Sequence, residues 1–83
     1  MSKVIVYGAS WCEDTEATRE DLKSLGVPYE YVEVEQDPAA LAWVKEQNGG
    51  KRKTPTLNVA GRVLVEPDLS ELEEALRGAG LIS

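Results

Sequence analysis

The stretch from Val4 to Thr15 constrains the fold more than any other, because an apolar run stops there and a helix begins. Val4-Ile5-Val6-Tyr7 is β-branched and lacks polar alternation, the pattern of a strand buried on both faces. Gly8 to Trp11 reads as a loop. Ser10 and Glu13 have capping-box spacing and predict a helix start close to Cys12. Thr18, Leu22 and Leu25 fall at helical spacing and Gly26 suits the C-terminal cap, so the helix is expected over about residues 13–25. Its outward face carries Glu13, Glu16, Arg19, Glu20 and Lys23. Cys12 thus sits where a strand turns into a helix. Unpaired backbone N–H groups and the positive end of the helix dipole favour thiolate over thiol there. A lone cysteine is commonly a small buried hydrophobe. Its place after Trp11, at a strand-to-helix turn, favours a reactive group instead.

Tyr29-Glu30-Tyr31-Val32-Glu33-Val34 follows Pro28 and reads as an alternation of apolar with acidic residues, the pattern of a strand with one more exposed face. Asp37-Pro38 reads as an N-cap with Pro at the first helical position. Leu41 and Val44, joined by Ala40 and Gln47, form the inward side of that second helix. Trp43 packs at its edge, and Asn48-Gly49-Gly50 ends it. Thr54 to Val59 and Arg62 to Val65 read as a hairpin through Ala60-Gly61. Asp68, with Glu71 three residues on, caps a last helix whose apolar stripe is Leu69, Leu72, Ala75 and Leu76. Gly78 and Gly80 stop it. The order β-α-β-α-β-β-α, with an early βαβ unit and a late hairpin, implies an α/β fold in one domain spanning 1–83. Its mixed four-stranded sheet is flanked by three helices.

Composition then removes several functions. One cysteine excludes an internal disulfide, and with no histidine there is no zinc constellation. No metal ligand is assigned. A net charge of −6 argues against nucleic-acid binding. The run Val4 to Tyr7 is too short for a signal peptide or a membrane span. A reducing, cytoplasmic setting and a monomer without membrane or nucleic-acid partners are expected.

Three stretches, in order, resemble the glutaredoxin branch of the thioredoxin superfamily. Trp11-Cys12-Glu13-Asp14-Thr15 is similar to its Cys-x-x-Cys site with Thr15 in place of the second cysteine. Lys53-Thr54-Pro55-Thr56 is similar to the loop whose cis proline faces the active cysteine, and Val65-Glu66-Pro67-Asp68 is similar to the start of the last helix. The tract Asn48 to Thr56 looks most like actinobacterial mycoredoxins. The resemblance implies a thioredoxin-like fold over essentially the whole chain. It also implies a monothiol thiol–disulfide oxidoreductase with no bound cofactor, using glutathione or another low-molecular-weight thiol as co-substrate. The partners would be small thiols and protein mixed disulfides. Two departures stand out: Glu13-Asp14-Thr15 is not the Gly-Phe-Ser of well-known monothiol members, and Ala9-Ser10 replaces a lysine often found before the cysteine.

Cys12 would be the nucleophile, resolved by an external thiol. The carboxylates of Glu13 and Asp14 oppose the thiolate, and they are expected to offset the helix terminus. Thr15 either donates a hydrogen bond to the Cys12 sulfur or is a polar filler. Asp14 reads as a helix-dipole residue, with proton handling as its alternative. Trp11 shields the sulfur or contacts a partner. A substrate would pair with the main chain of Thr54 beside Pro55. Lys51-Arg52-Lys53 is either a solvated loop or a carboxylate site, with Arg52 the first choice. Glu66 and Asp68 would orient the amino-bearing end of the substrate, although Asp68 is equally a plain N-cap. The competing functions are a redox-poor thioredoxin-fold binding module and an iron–sulfur carrier. In the latter, two chains and external thiols would have to share a cluster.

Overall fold

The computed structural model describes residues 3–83. Strand β1 (Val4–Gly8) leads into α1 (Glu13–Ser24), followed by β2 (Glu30–Glu33), a 3₁₀ turn (Val34–Gln36) and α2 (Pro38–Gln47). The chain ends with β3 (Thr56–Val59), β4 (Arg62–Val65) and α3 (Leu69–Gly78). The sheet order is β2-β1-β3-β4, with β1 parallel to β2 and the other pairings antiparallel. This is a thioredoxin-like arrangement.

Alternation along β1 divides the interior into two clusters. Val4 and Val6 face Leu22 and Val27 of α1 and the loop after it, Leu57, Val59 and Leu64 of the hairpin, and Leu72, Ala75 and Leu76 of α3. On the other face Tyr7 meets Val32, Val34, Ala40, Val44 and Trp43, with the Tyr7 and Trp43 ring centroids 4.6 Å apart. Helices α1 and α3 thus cover one side and α2 alone the other. Ile5 and Tyr7 stay only half-buried in consequence, so β1 is fully covered on one face alone.

Several local expectations shift. Ser10 is not the cap of α1: Cys12 occupies that position with no side-chain cap bond, and the Ser10 amide turns to Glu33 instead. Strand β2 ends at Glu33 because Val34 already belongs to the 3₁₀ turn, where it is buried. Gln47 is exposed rather than inward, and Leu69 is 47% exposed at the first position of α3. Both lie at helix ends, outside the residues that pack on the core. The predicted caps elsewhere are present. Asp37 accepts from the Ala40 amide at 3.1 Å, and Asp68 and Glu71 form a reciprocal capping box. Ala60 and Gly61 both have positive φ (51° and 96°), the hairpin turn that matches strand twist.

Candidate active site

Cys12 is placed by two successive backbone constraints. Its amide donates to the Ala9 carbonyl at 3.0 Å, closing the loop after β1, and its own carbonyl accepts from the Glu16 amide at 3.1 Å, starting α1. The side chain is half-buried, and its Sγ lies 3.6 Å from the Thr54 carbonyl oxygen, to which the thiol donates. The Thr54–Pro55 bond is cis, and the Pro55 side chain is buried. Nucleophile and peptide edge therefore meet, although 42 residues separate them in the chain.

Burial raises the Cys12 pKa, but hydrogen bonds outweigh it and leave the thiol below its ordinary value. The backbone N–H of Thr15, the hydroxyls of Thr54 and Thr15, and the backbone N–H of Asp14 all act in that direction. The offset expected from Glu13 and Asp14 does not decide the balance. Both side chains are exposed, where water screens them, while the amides of the same turn point at the sulfur.

Thr15 has no solvent exposure, and its Oγ1 accepts from the Ala9 amide at 3.4 Å, which orients the hydroxyl against the active loop. The fit requires glycine at position 8. A Cβ there would lie 2.5 Å from Thr15 Cγ2 and 2.8 Å from its Oγ1. Gly8→Ala is expected to destabilise the protein by about 1–3 kcal/mol through overpacking. Thermal melts of Gly8→Ala, Thr15→Ala and the double variant should show a less than additive loss.

The charged groups near this loop fall into two sets, one acidic and one in which Arg52 is paired with Glu35. Among the residues lining a cleft of about 370 Å³ between α1, the Pro55 loop and the start of α3 are Asp14, Asp21, Glu66, Asp68 and Leu69. Glu66 is held there by its amide, which donates to the Pro55 carbonyl at 2.8 Å. One Asp68 oxygen is committed to its cap, accepting from the Glu71 amide at 2.8 Å. On the other side Trp11, 64% exposed, donates its indole N–H to Glu35. Arg52 lies 5.1 Å over the Trp11 ring and 3.5 Å from Glu35 Oε2. Arg52 and Trp11 are thus brought together, while Glu66 and Asp68 stand across the cleft. A larger, more open depression of about 520 Å³ lies at the far end of α1, around Lys23 and Val27, and has no cysteine in its lining. Among the described residues no group of three His, Cys, Asp or Glu side chains is placed to hold a metal ion.

Two acids of this site were not singled out in the sequence. Glu33 Oε1 accepts from the Ser10 amide at 2.9 Å and the Tyr31 hydroxyl at 3.0 Å, pinning the loop before Cys12 to β2. Burial opposes its ionisation, but these donors hold its carboxyl below the usual carboxylate range. Glu35 reaches Trp11 and Arg52 from the 3₁₀ turn. The only hint in the sequence is that Glu33 breaks the strand alternation: it shares a face with Tyr31, which packs on the core.

Comparison with known proteins agrees with this geometry. A family model described as Glutaredoxin matches residues 4–64. Mycoredoxin 1 of Corynebacterium glutamicum is 41% identical over 58 residues, covering 69% of this chain and 70% of its own. The solved glutaredoxin of Archaeoglobus fulgidus superposes with a TM-score of 0.82 at 25% identity, over 94% of this chain and 89% of that one. Oxidised glutaredoxin 2 of Chlamydomonas reinhardtii superposes with a TM-score of 0.74 at 26% identity, over 98% and 85% respectively.

Proposed function

The chain belongs to the glutaredoxin family of thiol oxidoreductases, and from that premise we propose a monothiol disulfide reductase in which Cys12 is the sole nucleophile. The observation that supports this most is the Cys12 sulfur at the start of α1, drawn toward thiolate and set against the Thr54–Pro55 loop. In the first step the Cys12 thiolate attacks the small-thiol sulfur of a protein mixed disulfide. A Cys12–small-thiol disulfide forms, and the protein sulfur leaves as a thiolate that takes a proton. A second small-thiol thiolate then attacks the sulfur that Cys12 carries. It leaves as the oxidised small-thiol dimer, and the Cys12 thiolate is restored. With one cysteine in the chain, resolution comes from outside.

Glutathione or another low-molecular-weight thiol serves as co-substrate. Thr54 offers the main-chain edge beside Pro55, Trp11 shields the reacting sulfurs, and Arg52 takes a carboxylate. Glu66 and Asp68 face the amino-bearing end across the cleft. Thr15 supports the thiolate. The protein works in the cytoplasm as a monomer. Among the described residues no helix is long and apolar enough to cross a membrane.

The test is the pH dependence of Cys12 alkylation, with Cys12→Ser as the blank. Rate follows thiolate fraction, so the midpoint is expected below that of free cysteine, with rapid labelling at neutral pH. A midpoint at or above that of free cysteine would remove the enzymatic reading and leave a thioredoxin-fold binding module.

A further inference from the structure

The carboxylate site offered by Arg52 is already occupied by a carboxylate of the same chain. Glu35 bridges two elements of the site: one oxygen accepts the Trp11 indole N–H, and the other lies 3.5 Å from Arg52 Nη2. Arg52 closes the ring by lying 5.1 Å over the Trp11 face. Three segments distant in sequence, namely the loop before α1, the 3₁₀ turn and the loop before β3, meet in this clasp. A mere surface ion pair would not also engage the exposed aromatic beside the nucleophile.

We propose that Glu35 is an internal competitor, a specificity-determining residue that a carboxylate-bearing small thiol must displace from Arg52 before its disulfide reaches Cys12. The inference rests on the proposed reading of Arg52 as the substrate carboxylate site. Its physical basis is simple. The Arg52 and Glu35 side chains are 32% and 45% exposed, so water screens the pair and exchange of one carboxylate for another is easy. The cost falls only on ligands that need Arg52. Mixed disulfides lacking a carboxylate leave the clasp closed and are unaffected. Glu35 thereby acts through Arg52 and touches no reacting atom, which makes it a positioning residue.

Glu35→Gln isolates the charge, because the amide oxygen can still accept from Trp11. Calorimetric titration with S-methylglutathione, which cannot form a disulfide, should show binding about two- to fivefold tighter in Glu35→Gln than in the wild type, the range expected for loss of a screened ion pair. The same change on an Arg52→Gln background should have no effect. In turnover, one peptide capped with glutathione and the same peptide capped with 2-mercaptoethanol, which carries no charge, separate charge from scaffold. Glu35→Gln should lower KM for the glutathione cap by a similar factor, with kcat unchanged, and leave the 2-mercaptoethanol cap alone. Equal S-methylglutathione binding by wild type and Glu35→Gln overturns the proposal. So does an equal rise in KM for both caps, which marks a purely structural clasp. If the wild type turns over neither cap, the enzymatic reading fails, and the binding titration still decides the competition between carboxylates.

Discussion

Cys12→Ser is expected to abolish turnover of mixed disulfides while leaving the fold intact. The chain has no other sulfur nucleophile at cysteine, and an alcohol at this position stays protonated where a thiol ionises. Hydrogen bonds that stabilise a thiolate give a serine hydroxyl little nucleophilic advantage. The structural cost is small, because the site is half-buried and a serine hydroxyl can still donate toward the Thr54 carbonyl that now faces Sγ. Stability should change by less than about 0.5 kcal/mol. Incubation with oxidised glutathione, followed by mass measurement, should show one glutathione adduct on the wild type and none on the variant. An adduct or residual turnover in Cys12→Ser would show that the reaction does not pass through this sulfur.

The largest stability loss is expected from Leu22→Ala. Leu22 is fully buried where α1 meets β1, the hairpin and α3, so truncation leaves a void bounded by three elements. Such changes typically cost about 2–5 kcal/mol, against a total of about 5–15 kcal/mol for a domain of ordinary stability. At about 4–8 °C per kcal/mol for a chain this small, the melting temperature should fall by about 8–40 °C, or folding should be lost. The effect carries to the site because α1 is the helix whose first turn faces the Cys12 sulfur. Where the variant remains folded, its Cys12 alkylation midpoint should move toward that of free cysteine. Denaturant unfolding of Leu22→Ala beside Leu69→Ala checks the argument, since Leu69 is 47% exposed and its loss should cost far less.

The contrast between these two leucines shows where periodicity stops being informative. Both lie on apolar stripes of their helices, yet only the stripe members above the sheet are covered. Leu69 stands over the acidic cleft instead, beside Glu66 and Asp68. Ser10 misled for a related reason. Its spacing to Glu13 suits a cap, but the strand delivers the chain to the helix two residues later, and Glu33 of the neighbouring strand takes the Ser10 amide. Apart from the broken alternation at Glu33, neither Glu33 nor Glu35 was legible, because acids in and after an edge strand usually face water. Their roles depend on which loop lies next to them across the sheet edge.

What the sequence determined by itself is, Ser10 apart, what depends on near neighbours. The order of elements, the caps at Asp37 and Asp68, the Ala60-Gly61 turn and the location of Cys12 at a helix start all follow from dihedral preference and spacing over a few residues. The tertiary structure decided what depends on segments far apart in the chain. It set Thr54 against the Cys12 sulfur, adding a distant hydroxyl to the donors of the cysteine's own turn, and closed Glu35 onto Arg52 and Trp11. Backbone preference is a local property, legible one residue at a time. The charge state of a sulfur and the partner of a guanidinium are set by the sum of every dipole and carboxylate within a few ångströms, and only the folded chain brings those together.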